Sequence, residues 1–326
     1  MNKILLIGAG NIGSRHLQGL RLVQTPLEIR VIDPSVEAQE RAEKLFHKVE
    51  AEHQFNGNLI FSEKIPQDES FDIAIVATSA AVRRNITEQL LDGNEINYLV
   101  LEKFLFQSLK DYDAIASLLE EKKVSAFVNC PRRLFPFYRE LRKILESEEG
   151  PLEFHFSGTD WGLACNSVHR IDLFAFLTGH SDFDIDVSGL QDRIVSSKRE
   201  GYVEFYGRVE ASTPRGDKMV VSSFSEGNAP NLQVINTPNR RYVISEKQRF
   251  MFTAAAQHDW QWSRQDFEMP FQSQLTNVFV EELLSEMKCS LTPYMESSQH
   301  HTALLNGFIG HMSNVSGEEV RLCPIT

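Results

Sequence analysis

The sequence predicts an α/β fold in which a doubly wound parallel sheet is followed by an α+β domain with an open, mainly antiparallel sheet. Three observations support this prediction. Short apolar runs and amphipathic segments alternate up to about residue 128, a glycine-rich turn directly follows the first run, and apolar residues recur at every second position beyond Asp186. We therefore expect two domains, residues 1–128 and residues 129–326, joined without a flexible linker.

Strand-like and helix-like segments follow each other in strict alternation through the first domain. Strands are predicted over residues 4–7, 29–32, 72–77, 98–101 and 124–128. Helices are predicted over residues 12–23, 36–48, 82–91 and 109–122. This alternation is typical of a parallel sheet that is covered on both faces and connected by right-handed crossovers.

The second domain begins with helical patterns and continues with strands. Helices are predicted over residues 135–145 and 168–177, and period-two segments follow at 202–206, 219–224, 232–235 and 241–244. Turn residues separate these segments, and two further helical patterns cover 271–287 and 299–312. The pattern indicates an antiparallel sheet with one solvated face and closing helices.

Composition narrows the possible classes of function. The chain has 326 residues, of which 42% are hydrophobic and 24% charged, so it can bury a large core. Its 33 Lys and Arg against 45 Asp and Glu give a net charge of −12, which disfavours nucleic-acid and membrane-surface partners. Four cysteines without a CxxC pair favour neither a disulfide framework nor a metal site. With no signal peptide or membrane-length apolar run in this sequence, we expect a cytoplasmic protein.

The glycine-rich turn has the spacing G-x-G-x-x-G and lies between the first strand and the first helix. Gly8 permits the tight turn, Gly10 lets a pyrophosphate approach backbone N–H groups, and Gly13 lets the helix lie close to the strand. Asn11 and Ile12 lie within the same turn and are expected to contact the cofactor. The alternative is a glycine-rich turn of an unrelated α/β protein.

Asp33 ends the second predicted strand, 20 residues beyond Gly13. A carboxylate at this position accepts hydrogen bonds from both hydroxyls of an adenosine ribose and repels the additional phosphate of NADP. The sequence therefore favours NAD over NADP as the cofactor. A role of Asp33 as the N-cap of the following helix is a compatible alternative.

Four stretches of the chain, in matching order and spacing, resemble the Gfo/Idh/MocA oxidoreductases, a family named for glucose–fructose oxidoreductase and inositol dehydrogenase. They are GAGNIGSRH (residues 8–16), LEKFL (101–105), CPRRLFP (130–136) and the segment 162–179 around His169. The resemblance implies an N-terminal Rossmann domain, an NAD(P)-dependent reaction at a hydroxyl carbon, and a homo-dimer or homo-tetramer formed through the second sheet.

The resemblance also implies a role for Lys103, which would lie beside the nicotinamide and hydrogen-bond the substrate hydroxyl. A cation there favours an alkoxide-like oxygen as the hydride leaves the carbon. Thr78 and Glu102 are the other residues that we expect at the cofactor. Phe104 stands where the family usually has a proline, often after a cis bond, so we expect a trans bond here.

His169 matches the histidine that helps to take the proton, a task that suits its reference pKa near neutrality. Cys165, four residues earlier, replaces a common aspartate, and a neutral thiol cannot act as that carboxylate. Asp160 or Asn166 is expected to supply the missing polar contact, and Trp161 offers a flat surface for a sugar ring.

Two further residues have alternative roles. Asp172, three residues after His169 on the same predicted helix face, either orients the imidazole or caps locally. Arg133 either binds an anionic group of the substrate or forms an ion pair.

The function expected from these features is NAD-dependent hydride transfer at a hydroxyl carbon of a sugar, cyclitol or nucleotide-sugar, with the nicotinamide in a cleft between the two domains. Two alternatives stay open, and the replacements at Cys165 and Phe104 support the first of them. One is a catalytically silent NAD-binding sensor or scaffold protein, and the other is a reductase of an imine or a tetrapyrrole.

Overall fold

In the computed structural model, which describes residues 1–51 and 53–326, the apolar runs of the N-terminal region form parallel strands that are buried on both faces. In the first strand Ile4, Leu5 and Leu6 are all fully buried. The strands are β1 (Asn2–Ile7), β2 (Leu27–Ile32), β3 (Gly57–Ser62), β4 (Glu69–Val76), β5 (Asn94–Glu102) and β6 (Ser125–Asn129). The helices between them are α1 (Asn11–Leu20), α2 (Val36–His47), α3 (Ala80–Gly93) and α4 (Leu109–Lys122).

The strand order of this sheet is β3-β2-β1-β4-β5-β6, and all neighbouring pairs among these strands are parallel. The order reverses between β1 and β4, because the chain builds first toward one edge and then toward the other. In open α/β sheets of this kind, ligands bind outside the carboxyl ends of the strands at such a reversal. Gly8, Asp33, Thr78 and Lys103 all come just after strands of this sheet.

The chain then builds a second sheet of eight strands. The elements in chain order are α5 (Pro136–Leu145), β7 (Glu153–Thr159), α6 (Leu163–Thr178), β8 (Asp184–Asp186), β9 (Val195–Ser196), β10 (Val203–Glu204), β11 (Gly207–Ser212), β12 (Lys218–Phe224), β13 (Leu232–Asn236), β14 (Arg240–Ser245), β15 (Phe250–Ala255) and β16 (Ser263–Asp266). The sheet order is β16-β15-β14-β13-β7-β12-β11-β8, and β9 pairs with β10 separately. All pairs are antiparallel except β7 with β12.

Side chains alternate between buried and partly exposed along the strands of the second sheet. In β12, for example, Met219 and Val221 are fully buried, whereas Val220 and Ser222 are partly exposed. The buried side is covered by α6, which packs against β12 and against α5. The predicted sheet with one solvated face is therefore present.

The last part of the chain comprises α7 (Thr276–Glu281), a π-helical turn (Glu282–Glu286), β17 (Thr292–Pro293) and α8 (Tyr294–Ser316). β17 extends the first sheet by pairing antiparallel with β6, where Thr292 lies opposite Val128. The chain thus forms two compact units. The first unit comprises Met1–Phe106, Lys110–Leu134 and Pro270–Ser297, and the second comprises Gln107–Leu109, Phe135–Met269 and Ser298–Thr326.

Eight strands of the described chain lie outside the segments that the sequence pattern predicted, namely β3, β7, β8, β9, β11, β15, β16 and β17. Several of them contain polar residues at many positions, so their apolar content does not stand out. The predicted strand over 202–206 is also wrong in extent, because only Val203–Glu204 pairs as β10. At this point the N–H of Val203 donates a hydrogen bond to the carbonyl oxygen of Pro324 instead of to a strand. The side chain of Glu204 accepts a hydrogen bond from the N–H of Ala164 in α6.

Two predicted helices also differ from the structure. Helix α6 begins at Leu163 rather than at 168, because the Glu204 carboxylate accepts the hydrogen bond from the Ala164 N–H and so stabilises an earlier first turn. The predicted helix over 271–287 is divided into a 3₁₀ turn, α7 and the π-helical turn, which ends where Met287 takes a left-handed backbone conformation.

Candidate functional site

The glycine-rich turn between β1 and α1 needs glycine at two positions. Gly8 has a φ of +100°, and a Cβ there would lie 2.9 Å from the carbonyl oxygen of Ala77. A Cβ on Gly13 would lie 1.8 Å from the carbonyl oxygen of Gly8, so only glycine lets α1 approach the turn. Helix α1 therefore begins at Asn11 with its N-terminal end at the carboxyl edge of the sheet. Such an end attracts anions, because its backbone N–H groups and dipole both favour negative charge.

Asp33 connects the end of β2 to this turn. Its Oδ2 accepts a hydrogen bond from the N–H of Ala9 at 2.7 Å, and its Oδ1 accepts one from the N–H of Ser35 at 2.9 Å. The N-cap of α2 is Ser35, whose hydroxyl accepts a hydrogen bond from Ala38, so the alternative N-cap role of Asp33 is wrong. Asp33 is instead held beside the glycine turn with a fixed orientation.

A cavity of about 1040 Å³ opens beside the turn, within the first unit. It is lined by residues at the ends of β1, β2 and β4 and along α3, among them Gly8, Asp33, Thr78 and Val82. The Thr78 hydroxyl oxygen is buried and has no hydrogen-bond partner among the described residues. A buried hydroxyl of this kind favours a polar ligand that completes its hydrogen bonding.

Lys103 follows β5 and is partly exposed, on a loop that a buried arginine holds. Arg83 of α3 is 1% exposed, and its guanidinium donates hydrogen bonds to the carbonyl oxygens of Thr78, Phe104 and Leu105. The Lys103–Phe104 peptide bond is cis, so the predicted trans bond is wrong. Phe104 is fully buried, and its carbonyl oxygen accepts a hydrogen bond from Arg83. The cis peptide bond therefore lies in the interior of the first unit.

Glu102, which we expected at the cofactor, directs its carboxylate into a buried network of the first unit. Its Oε1 accepts hydrogen bonds from Asn129 and makes a 2.9 Å contact with Nε2 of His16, whose Nδ1 contacts the Thr276 hydroxyl. Burial acts to raise the pKa of Glu102, but the hydrogen bonds from His16 and Asn129 and the charge of Arg83 outweigh it. The pKa of Glu102 is therefore below its usual value.

Helix α6 of the second unit carries most of the residues predicted to bind substrate. Cys165, Asn166, His169 and Asp172 all lie on this helix, with Cys165 and His169 one turn apart on the same face. Asn166 donates a hydrogen bond to the carbonyl of Trp161 at 2.9 Å, so it stabilises the turn before the helix. Asp172 is completely buried, whereas His169 and Cys165 are partly exposed.

The residues before α6 form a polar group at the end of β7. Asp160 forms an ion pair with Lys198 at 3.0 Å and accepts a hydrogen bond from the Tyr206 hydroxyl at 3.0 Å. The hydrogen bond from Lys198 lowers the pKa of Asp160. Trp161 donates from its indole nitrogen to the carbonyl of Ser222 at 2.8 Å, and this fixes its ring plane.

Arg133 lies in the first unit, in the 3₁₀ turn Pro131–Leu134. It is largely buried and forms an ion pair with Glu296 at 2.6 Å. The structure therefore shows one of the two roles that the sequence left open for this residue.

Sequence reasoning gave no role to Arg83, Asn129 or Glu204, which prove to hold the predicted residues in place. Arg83 fixes the Lys103 loop, Asn129 contacts Glu102, and Glu204 caps α6 beside Cys165. Arg83 lies at helical spacing from the buried positions Ala80 and Leu90, but this spacing indicates only the side of the helix and not the partners of Arg83. Nothing in the local sequence distinguishes Asn129 or Glu204.

Residues 2–130 match the model of the Gfo/Idh/MocA oxidoreductase family, described as having an NAD-binding Rossmann fold. The N-terminal part of the chain is therefore similar to the NAD-binding domain of this family. The residues present fit the cofactor NAD for two reasons. A Cβ on Gly10 would project into open space at the start of α1, and the buried hydroxyl of Thr78, a residue that lines the cavity, has no hydrogen-bond partner among the described residues. Asp33 adds a carboxylate to the lining of the same cavity.

Solved structures of oxidoreductases share the fold over nearly the whole chain. An oxidoreductase from Agrobacterium radiobacter, solved with NAD+, L-tartaric acid and magnesium, has a TM-score of 0.71 at 14% identity and covers 96% of this chain and 97% of its own. A Gfo/Idh/MocA family oxidoreductase from Vibrio cholerae has a TM-score of 0.69 at 15% identity, covering 98% and 100%. UDP-N-acetylglucosamine 3-dehydrogenase from Acidithiobacillus ferrooxidans has a TM-score of 0.65 at 13% identity, covering 94% and 96%. At these identities the likeness concerns the fold.

No curated protein sequence matches this chain significantly. Among the described residues, no helix has both the length and the apolar character that a membrane crossing requires. Nor does the described part of the chain contain a group of three or more His, Cys, Asp or Glu side chains arranged to hold a metal ion.

Proposed function

We propose that this Gfo/Idh/MocA protein transfers a hydride between NAD and a hydroxyl-bearing carbon of a sugar, cyclitol or nucleotide-sugar. The observation that carries the proposal is the placement of Lys103 directly after β5, on a loop that Arg83 holds through three carbonyl groups. The loop leaves the sheet at the same edge as the glycine turn. A lysine ammonium fixed there stabilises negative charge on an oxygen whose carbon loses hydride.

The cofactor residues are those that surround the turn and the cavity of the first unit. NAD, when bound, supplies the hydride acceptor. Backbone N–H groups at the start of α1 would hold its pyrophosphate. Asp33 would accept hydrogen bonds from the hydroxyls of the adenosine ribose, and the Thr78 hydroxyl would form a hydrogen bond with the bound molecule. The residues of this set are Gly8, Gly10, Asn11, Ile12, Gly13, Asp33, Thr78, Glu102 and Lys103. The carboxylate of Glu102 lies in the buried network, so its proposed part is to support the neighbouring Lys103.

The substrate residues that we propose lie mainly around α6. His169 is partly exposed and would hold the proton that leaves the substrate hydroxyl, a task that fits an imidazole near neutral pH. Its proposed partners in recognition are Arg133, Asp160, Trp161, Cys165, Asn166 and Asp172. In this proposal residues 1–128 bind the cofactor, while residues 129–326 bind substrate and mediate association.

A substrate panel tests the proposal. The NAD-saturated protein would be incubated with free sugars, cyclitols and nucleotide-sugars, and NADH formation followed by absorbance. UDP-N-acetylglucosamine belongs in the panel, because the relative from Acidithiobacillus ferrooxidans is a 3-dehydrogenase of that compound. We expect turnover of at least one member, and Lys103→Ala should abolish it while sparing NAD binding.

The matched control is Lys110→Ala, which removes an exposed lysine at the start of α4 and should leave turnover unchanged. NAD binding by the wild-type protein without turnover of any compound would favour the alternative of a silent sensor or scaffold. Equal activity of Lys103→Ala and the wild-type protein would contradict the proposed role of Lys103.

We also propose a homo-dimer or homo-tetramer that forms through the open face of the second sheet. Exposed apolar side chains on strands of that sheet support this proposal, including Phe224, Leu232 and Phe252. Sedimentation equilibrium at micromolar concentrations should show the dimer or tetramer mass. A strictly monomeric protein over this range would contradict the proposal.

The proposed location is the cytoplasm. It is supported by the acidic composition and by the cysteine pattern, which suits a reducing compartment. Fractionation of the source cells, followed by immunodetection, should recover the protein with cytoplasmic markers.

A further inference from the structure

Glu204 is a buried carboxylate that the proposed chemistry does not yet use. Its residue is 5% exposed, and its Oε1 accepts hydrogen bonds from the N–H groups of Ala164 and, at 2.9 Å, of Phe205. Ala164 lies in the first turn of α6, whose N-cap is Gly162 and therefore has no side chain to cap the helix. Glu204, which lies in strand β10, supplies the capping carboxylate instead.

The second carboxylate oxygen has a different neighbour. Oε2 of Glu204 lies 3.8 Å from the Sγ of Cys165, which donates toward it, and the same Sγ lies 3.7 Å from the carbonyl oxygen of Gly162. A helix cap requires only a neutral acceptor such as a serine or asparagine oxygen. The charged group therefore exceeds what the cap requires, and burial raises the pKa of Glu204, so that keeping it ionised is costly.

The charges around Glu204 do not neutralise it. Within residues 1–51 and 53–326, Glu204 forms no ion pair. Lys198 is a nearby cation on which the charge of Glu204 acts, but it forms its ion pair with Asp160. Asp160 itself acts to raise the pKa of Glu204, and the nearby thiol of Cys323 and hydroxyl of Tyr206 are both held neutral by raised pKa values. When Glu204 is ionised, its negative charge acts on the first turn of α6, where its two oxygens contact Ala164 and Cys165.

Those turns carry the residues of the proposed substrate face. Each helical residue advances by about 100°, so Cys165 and His169 share one side of α6. Cys165 is partly exposed, so the Glu204 carboxylate lies behind it, on the inner side of the same face.

We propose that Glu204 is a positioning residue of this face, which holds the Cys165 side chain through the thiol hydrogen bond and supplies a fixed negative charge one turn from His169. The inference rests on the proposed function, because this face is where substrate and proton are handled. A fixed negative charge stabilises a neighbouring group that gains a proton, so the carboxylate assists proton removal without touching the substrate.

The first test concerns the contact itself and needs no substrate. Glu204→Gln keeps an oxygen for the two backbone N–H groups but removes the charge, so the helix cap should survive. Alkylation of Cys165 by iodoacetamide in the NAD-saturated protein, resolved by peptide mass spectrometry, should be about three- to tenfold faster in this variant, because the thiolate no longer faces a carboxylate. Glu210→Gln, on strand β11, is the matched control and should leave the rate unchanged.

The second test moves the carboxylate. Glu204→Gln should lower turnover of the best panel substrate about tenfold, and adding Cys165→Asp to that variant should restore most of the loss, because the charge returns to the same face. Cys165→Asp alone should lower turnover, since two adjacent carboxylates cannot both ionise without a cost. If Glu204 served only to cap the helix, adding Cys165→Asp would not restore turnover.

The outcomes separate this inference from the proposed function. A wild-type protein that turns over no compound contradicts the proposed function, and the alkylation rates still decide whether Glu204 acts on Cys165. An unchanged alkylation rate in Glu204→Gln overturns the inference. So does a double variant that is folded, binds NAD and is no more active than Glu204→Gln alone.

Discussion

At the scale of single residues, Asp33 joins the structure of the glycine turn to the choice of cofactor. Replacing Asp33 with serine removes the expected ribose acceptor and the repulsion of a 2′-phosphate. Loss of a hydrogen bond to a charged acceptor costs about 1.5–3 kcal/mol, which corresponds to roughly a ten- to hundredfold weaker NAD affinity. Isothermal titration calorimetry should show this loss, with NADP affinity falling far less or improving.

Asp33 also accepts hydrogen bonds from Ala9 and Ser35, so its replacement could act through the backbone of the turn. Asp33→Asn separates these effects, because the amide keeps one acceptor oxygen and lacks the charge. Its NADP affinity should exceed that of the wild-type protein. A wild-type preference for NADP would show that Asp33 has been assigned the wrong role.

Replacing Arg83 should displace Lys103 indirectly, because Arg83 holds the loop that carries Lys103. Arg83→Met fills a similar volume but cannot donate to the carbonyls of Thr78, Phe104 and Leu105. We expect a fall in kcat of about tenfold or more, because small displacements of a reacting group are costly. The KM should change little.

The control is Arg84→Met. The side chain of Arg84 forms ion pairs with Glu88 and Asp111 near the surface. Similar kcat values for the two variants would contradict this role of Arg83.

The sequence predicted the residues with characteristic spacing and missed those that depend on the fold. Gly8, Asp33 and Lys103 follow strands at recognisable intervals, so their approximate location could be inferred from local pattern. Arg83 and Glu204 act because distant backbone groups surround them, and no local pattern records that. The cis bond at Lys103–Phe104 was missed for the same reason, since the local preference is for trans.

At the scale of secondary-structure elements, the seating of α1 against the first sheet depends on Gly13 and Gly10 in different ways. A Cβ on Gly13 would meet the Gly8 carbonyl at 1.8 Å, whereas a Cβ on Gly10 would have no atom within 4 Å. We expect Gly13→Ala to lower the free energy of unfolding of the cofactor-free protein by about 3 kcal/mol or more. Gly10→Ala should change it by less than about 0.5 kcal/mol.

NAD affinity distinguishes the same two variants. Gly10→Ala should weaken NAD binding about tenfold, because the methyl group occupies the path of the pyrophosphate. Urea denaturation without cofactor and calorimetry with NAD provide the two measurements. A cofactor-free Gly13→Ala protein as stable as the wild type would mean that α1 can shift away from the turn.

Elements with a strong apolar period were predictable, and short polar ones were not. Helix α4 matches its predicted range, because its apolar period and its boundaries are both clear. Strand β16 is exposed at every residue and owes its existence to pairing with β15, a contact that has no local signature. The N-terminal start of α6 likewise depends on a capping group from elsewhere in the chain.

At the scale of the whole molecule, the buried Glu102 network should make stability depend on pH in the acid range. The pKa of Glu102 is lowered in the folded protein, so its ionised form contributes stability above the unfolded value of about 4.3. That contribution is lost as the pH falls through the lower folded value. Urea denaturation between about pH 3 and pH 7 measures this dependence.

Glu102→Gln should lower the free energy of unfolding at neutral pH by about 1.5–3 kcal/mol, the typical contribution of a hydrogen bond to a charged group. The difference from the wild-type protein should shrink toward acid pH. Glu120→Gln, at an exposed site on α4, serves as the control. A difference that stays constant over the whole range would show that the charge of Glu102 does not contribute.

The return of Pro270–Ser297 to the first unit affects the order in which the protein can fold during synthesis. His16 contacts Thr276, and Gly19 lies so close to Thr276 that an added Cβ would be 2.6 Å from its side chain. A nascent chain that has emerged only to Leu134 therefore exposes this surface of α1 and the β6 edge where β17 will pair. The first unit, although encoded first, can be completed only after most of the second unit has been made, so its unpaired strand edge stays open to wrong pairing until then.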